Sequence, residues 1–186
     1  MNWDHGSSKI TRQLIDEIER RLPLETAAPI AEFSRQFYDS FPAEDLRGRS
    51  LTDLAASTYG SWHFLQYFDN SRPKVRVFNP EFERHGWQSG HTVIAVLCRD
   101  TAFALDSVRA ELNHRNLIIY TIHGVALRMR RDAQHQLLEL LPRAGEAGDL
   151  PISAEAYLYF EVNRCSNAGE LVELEATLAD ILVEVA

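Results

Sequence analysis

Apolar side chains recur at helical spacing through the first third of the chain. Ile10, Leu14, Ile15, Ile18 and Leu22 make one stripe, and Pro23 closes it. A second helix is expected through Ile30, Phe33, Phe37 and Phe41, with Pro42 as its stop. A third follows Ser50, where Leu51, Leu54, Ala55, Tyr59, Trp62, Leu65 and Phe68 form a wide apolar face. Ser50 and Asp53 stand at capping-box spacing, with Asp in place of the usual Glu, and Gly60 weakens this helix locally.

The period then changes. Lys74–Phe78 alternates, with Val75 and Val77 on one side, until Asn79-Pro80 breaks it. His91–Cys98 is apolar on both faces, which predicts a central strand. A helix with Leu105, Val108 and Leu112 on one face follows, with Asp100 placed to cap it and Asn116 to end it. Leu117–Ile122 is a second β run, parallel to the first by the βαβ rule. Val125–Arg131 and Gln136–Leu141 read as hairpin arms around Asp132-Ala133-Gln134, and 142–153 as a loop. Ala156, Leu158, Phe160 and Val162 alternate with Glu155, Tyr157, Tyr159 and Glu161 in a last strand. A closing helix is capped by Asn167 and carries Leu171, Leu174, Leu178, Ile181 and Val185 as its stripe. The predicted class is α+β: a helical segment over 1–72, then a ferredoxin-like split βαβ sheet over 73–186 with an extra hairpin strand and without its final strand.

Length and charge narrow the functions. A chain of 186 residues can bury roughly 70% of its unfolded surface, but it has no room for a two-domain nucleotide-dependent oxidoreductase. Net charge is -8, from 19 basic and 27 acidic side chains, which opposes a nucleic-acid partner. Residues 143–186 carry 2 basic and 9 acidic groups, read as a solvated helix face. The chain has no apolar run near the ~20 residues of a membrane span and no leader-like apolar segment, so a cytoplasmic protein is expected. Cys98 and Cys165 suffice for neither a disulfide framework nor a four-thiolate zinc site.

Candidate chemistry is sparse. The dinucleotide and P-loop glycine patterns are absent, and Gly145 and Gly148 sit in a polar loop. The seven histidines lack metal-ligand spacing; His85-Gly86-Trp87 reads instead as an anchor of helices on the sheet. Ser61 and Ser107 lie within helices rather than on a nucleophile elbow. Arg128, Arg130 and Arg131, with Tyr157 and Tyr159 nearby, evoke an RNA-binding sheet, but a charged edge arm is the plainer reading. No catalytic, cofactor-binding or metal residue is therefore assigned. The βα turn of Arg99, Asp100, Thr101, Ala102 and Phe103 is best placed to receive an anion, since a strand ends there and a helix presents free N–H groups. The competing reading is that Asp100 only caps and Arg99 is solvated.

His85-Gly86-Trp87-Gln88-Ser89, His91-Thr92-Val93, Leu105-Asp106-Ser107-Val108-Arg109 and Glu111-Leu112-Asn113 closely resemble the N-terminal region of the large bacterial NAD-specific glutamate dehydrogenases. Val75–Pro80, Tyr157–Glu161, Asn163-Arg164-Cys165 and Ala168–Leu171 support the likeness, which is weakest over residues 1–45. The resemblance implies an ACT-like domain preceding the catalytic part. Such modules are ferredoxin-like and often bind amino acids at the first βα turn or between modules. It also implies a parent that deaminates glutamate with NAD, NAD bound elsewhere than in this chain, contacts with other domains of that polypeptide, and a homo-oligomer. The chain departs from the pattern at Asp100-Thr101-Ala102-Phe103, where a glycine or a Pro-Phe pair is usual. An inter-domain module without a ligand is the alternative.

Overall fold

A computed structural model describes residues 5–39, 41–46, 48–143 and 152–185. Helices α1 (His5–Arg21), α2 (Leu24–Tyr38), α3 (Ala43–Leu46) and α4 (Leu51–Leu65) precede β1 (Lys74–Phe78), the short α5 (Phe82–His85) and β2 (His91–Arg99). Then come α6 (Ala104–His114), β3 (Ile119–Arg131), β4 (Leu137–Leu141), β5 (Ser153–Asn163) and α7 (Ala168–Glu184). Most of the expected 142–153 loop, with Gly145 and Gly148, lies outside the described residues.

The caps show why the helices begin where they do. The Asp53 amide donates to Ser50 Oγ at 3.0 Å, and the Gly169 amide to Asn167 Oδ1 at 2.8 Å. Asp100 does not cap α6, contrary to expectation. That helix starts at Ala104 with Phe103 in the cap position and no side-chain cap, so Asp100 stands too far upstream; its amide donates to Ala154 O at 3.1 Å and prolongs the β2–β5 ladder.

The five strands lie in the order β1-β2-β5-β3-β4, every neighbour antiparallel. β2 and β3 run parallel to each other, as the crossover helix requires, and β5 is inserted between them, which is the split βαβ of the ferredoxin-like class. No strand follows α7 among the described residues. The open place beside β2 is filled by β1, paired from Lys74↔Leu97 to Phe78↔Val93. The outer edge of β1 is screened in turn, since the Val77 amide donates to Glu175 Oε2 of α7 at 2.9 Å.

Both sheet faces are covered. Val93, Ala95, Leu97, Val125, Leu127, Met129, Tyr157 and Tyr159 share one core with Leu14, Ile18, Phe33, Phe37, Leu54 and Leu65 of the first helices. Ile94, Val96, Leu158, Phe160 and Val162 share the other with Val108 and Leu112 of α6 and Leu174, Leu178 and Leu182 of α7. The chain is thus three layers, helix on sheet on helix.

Two adjustments in β3 were hidden from periodicity. Leu117–Ile122 and Val125–Arg131 are not separate strands; β3 runs through His123-Gly124 without a break. A bulge between Ile119 and Thr121 lets Ile119 and Ile122 face α6 and α7 while Thr121, His123 and Val125 face the first helices. Gly124 leaves room there for Leu105 and Leu158, whose Cδ1 and Cδ2 would stand 2.8 and 3.0 Å from an added Cβ and would have to shift.

Candidate effector-binding sites

The βα turn follows the last pairs of β2, so its residues are carried by a rigid central strand. Arg99 and Thr101 line a cleft of about 160 Å³ with Asn70, Ser71, Arg72, Leu182 and Val183. Asp100, Ala102 and Phe103 do not line it, and Phe103 is 66% exposed. Arg99 is neither buried nor idle: Nε donates to Asn70 Oδ1 at 3.1 Å and an Nη to Asn70 O at 3.3 Å. Cys98 beside it is buried, and desolvation pushes its thiol up to about 11, so it is protonated and inert near neutral pH.

A larger cavity, about 280 Å³, lies between α4, β1, α5 and the sheet. Ser57, Ser61, Phe64, Trp87, Tyr157 and Tyr159 form its buried part, with Gly60, His63 and Arg84 exposed at its mouth. The alternation of β1 explains how Arg76 and Phe78 reach it, since Val75 and Val77 turn to the opposite core. Trp87 anchors the α5 segment against the first helices, as its sequence setting suggests. Burial and the charges of Arg76 and Arg84 hold the His85 imidazole below its ordinary pKa, against a hydrogen bond to Glu81 that acts the other way.

The sequence gives no warning of two buried carboxylates on β5. Glu161, whose side chain is 2% exposed, accepts from both terminal nitrogens of Arg49 at 2.7 and 2.8 Å and from Tyr159 Oη at 2.6 Å. His91 Nδ1 stands 3.3 Å from it, and the His91 ring stacks on Tyr120. Burial would raise the Glu161 carboxyl, but the Arg49 guanidinium and the further donors outweigh it and leave the group below its usual range. Glu155 is paired bidentately with Arg131 at 2.7 Å on both oxygens. These are cross-links between layers rather than reactive groups. Arg131 is accordingly no solvated arm residue; it also donates to the carbonyls of Leu65, Gln66 and His135. Tyr157 and Tyr159 lie under Phe33 and Phe37, so they offer no stacking platform to RNA.

Among the described residues no group of three or more His, Cys, Asp or Glu is arranged for a metal ion. No helix there is long and apolar enough to cross a membrane.

The sequence has relatives. The description of the glutamate dehydrogenase ACT1 domain matches residues 33–178. The chain belongs to this ACT1 domain family. It is 45% identical, over 95% of its length, to the NAD-specific glutamate dehydrogenase of Halomonas elongata. It is 39% identical, over 93%, to the NAD-specific glutamate dehydrogenase of Pseudomonas aeruginosa. The chain spans 11% of the length of each of these relatives. No solved structure matches it. The ACT1 match begins inside α2, so it takes in the end of α2, α3 and α4 as well as the sheet, but not α1.

Proposed function

We propose that this ACT1 domain serves an NAD-specific glutamate dehydrogenase as a regulatory and assembly module, the chemistry lying elsewhere in the parent polypeptide. The observation that carries this reading is the 45% identity over nearly the whole chain to a glutamate dehydrogenase of which it spans only 11%. The parent would oxidise L-glutamate to 2-oxoglutarate and ammonium with NAD, as a cytoplasmic homo-oligomer, while this chain itself holds no cofactor. An amino-acid effector would enter the cleft of Arg99 and Thr101, where Arg99 would exchange Asn70 for the ligand carboxylate. Asp100, Ala102 and Phe103 would shape its rim. Calorimetric titration of the chain with the common amino acids tests this. Binding that weakens at least about tenfold in Arg99→Ala supports it, since a charge-assisted contact is lost. Absence of heat with every amino acid would remove the effector.

A second reading, an assembly module without a ligand, is favoured by one feature. Val172, Ala176, Ala179 and Val183 make an outward apolar stripe on α7, with Val172 71% exposed. Under it, a concentration-dependent dimer measured by sedimentation would dissociate in Val172→Lys.

A further inference from the structure

The cavity between α4 and the sheet is built to hold negative charge. Arg76 is half-buried in its wall and has neither a hydrogen bond nor a carboxylate partner among the described residues. Its guanidinium carbon rests 4.3 Å over the Phe78 ring, which fixes the group while leaving its five N–H donors uncommitted. A guanidinium with no counter-ion in a partly desolvated wall is unusual, and here no Asp or Glu lines the cavity at all.

The other polar groups are donors too. Tyr157 Oη donates to Ser61 Oγ at 2.8 Å, so the Ser61 proton has no acceptor among the described residues. Ser57, also buried, has no side-chain hydrogen bond there. His85 Nδ1 lies 3.0 Å from the Glu81 amide and 3.2 Å from the Glu81 carbonyl, so the ring is anchored through Nδ1 whichever nitrogen carries the proton. Arg84 and His63 add positive or donor character at the mouth. The remaining wall is carbon: Phe64, Phe78, Trp87, Val93 and Ala95. At about 280 Å³ the space suits a small metabolite, just below the roughly 300 Å³ at which ligand pockets usually begin.

We propose that this cavity binds a small organic acid lacking an ammonium group, a 2-oxo acid, with its carboxylate on Arg76, its oxo oxygen on the Ser57 and Ser61 hydroxyls, and its carbon skeleton against Phe64, Phe78 and Trp87. An amino acid of the same skeleton is disfavoured, because its ammonium would meet Arg76 with no carboxylate in the lining to receive it; Glu81 stands outside the lining, paired with Arg84 at 4.0 Å. The site shares no residue with the Arg99 cleft, so it stands independently of the regulatory reading.

The test is calorimetric titration of the whole chain with phenylpyruvate, 2-oxoglutarate, phenylalanine and inorganic phosphate, with melting temperature as a second readout. At least one of the two oxo acids should bind and raise Tm, with phenylalanine at least about tenfold weaker than phenylpyruvate. Arg76→Gln should weaken that binding at least about tenfold, and Arg99→Ala should leave it unchanged. Gly60→Leu gives a separate check should Arg76→Gln not fold. A Cβ at Gly60 meets nothing within 4 Å, so the position has room for a side chain to start, and a leucine there should narrow the mouth and abolish binding. Phosphate binding as tightly as the oxo acids, phenylalanine binding as tightly as phenylpyruvate, binding intact in Arg76→Gln or Gly60→Leu, loss of binding in Arg99→Ala, or no binding of either oxo acid would each overturn the proposal.

Discussion

His123 shows how one side chain sets a response of the whole fold. Its ring lies between Phe37 and Phe41, with centroids 5.0 and 4.3 Å away, and its Nε2 has no hydrogen-bond partner among the described residues. Burial depresses its pKa to about 4, although a hydrogen bond to the Phe37 backbone acts the other way. The unfolded chain therefore takes up a proton as pH falls through about 6.5, while the folded chain stays neutral to about 4. Stability is lost across that window, on the order of 3 kcal/mol in total. His123→Phe keeps the packing and should flatten the dependence of unfolding free energy on pH between 6.5 and 4; an unchanged slope would contradict the assignment. Gly60, in the interior of α4 with open space where a Cβ would stand, should gain about 0.5–1 kcal/mol as Gly60→Ala in denaturant unfolding. The weakening by Gly60 was legible in the helical pattern; the role of His123 was not. A histidine between apolar neighbours reads alike on a hairpin arm and in a core, and only the docking of α2 decides it. Cys98 was legible, because six consecutive apolar positions before a charged pair leave a buried strand end few alternatives.

Elements were more legible than their joints. Ser50, Pro23 and Asn167 mark helix ends by local chemistry, and the two-faced apolar run of β2 identifies a central strand. The continuity of β3 was not readable, because His123-Gly124 breaks the apolar run in sequence. In space Phe37 and Phe41 cover one residue, and Leu105 fills the room above the other. The buried glutamates of β5 were missed for a related reason. Alternation places Glu155, Tyr157, Tyr159 and Glu161 on one face, and nothing within the strand says that helices ending at Leu65, far upstream in the chain, cover it. Arg131 ties the end of α4, the β3–β4 turn and β5 through Glu155, its own side chain only 9% exposed. Glu155→Ala would strand that guanidinium and should cost about 3–5 kcal/mol in chemical unfolding. The pair Arg131→Met with Glu155→Leu should recover much of the loss, because it removes both charges from the interior. A single and a double variant of equal stability would show the pair to be of no consequence.

At the scale of the molecule, the sheet is closed by a strand that comes before it in sequence. The ferredoxin-like order leaves a place beside β2, and β1 takes it, with Glu175 guarding the outer edge. A sheet without its final strand would leave β2 with an open edge; β1 closes it, which shifts the case for assembly to the outer stripe of α7. The helices over 1–72 were readable as helices but not as the second cover of the sheet, since amphipathic stripes do not name the surface they meet. Their docking creates the Arg76 cavity, which no motif encodes. The Arg99 turn was legible because strand-to-helix junctions are visible in the pattern; its tether to Asn70 was not. The central claim is that this ACT1 domain modulates a glutamate dehydrogenase without taking part in its chemistry. The most direct test is glutamate-dependent NAD reduction by the parent polypeptide carrying Arg99→Ala, assayed with and without amino-acid effectors. The account predicts basal turnover within about twofold of the unaltered enzyme, because a residue outside the reacting groups leaves transition-state binding untouched, together with a lost or reduced effector response. Collapsed basal turnover, or an effector response untouched by the change, would contradict it.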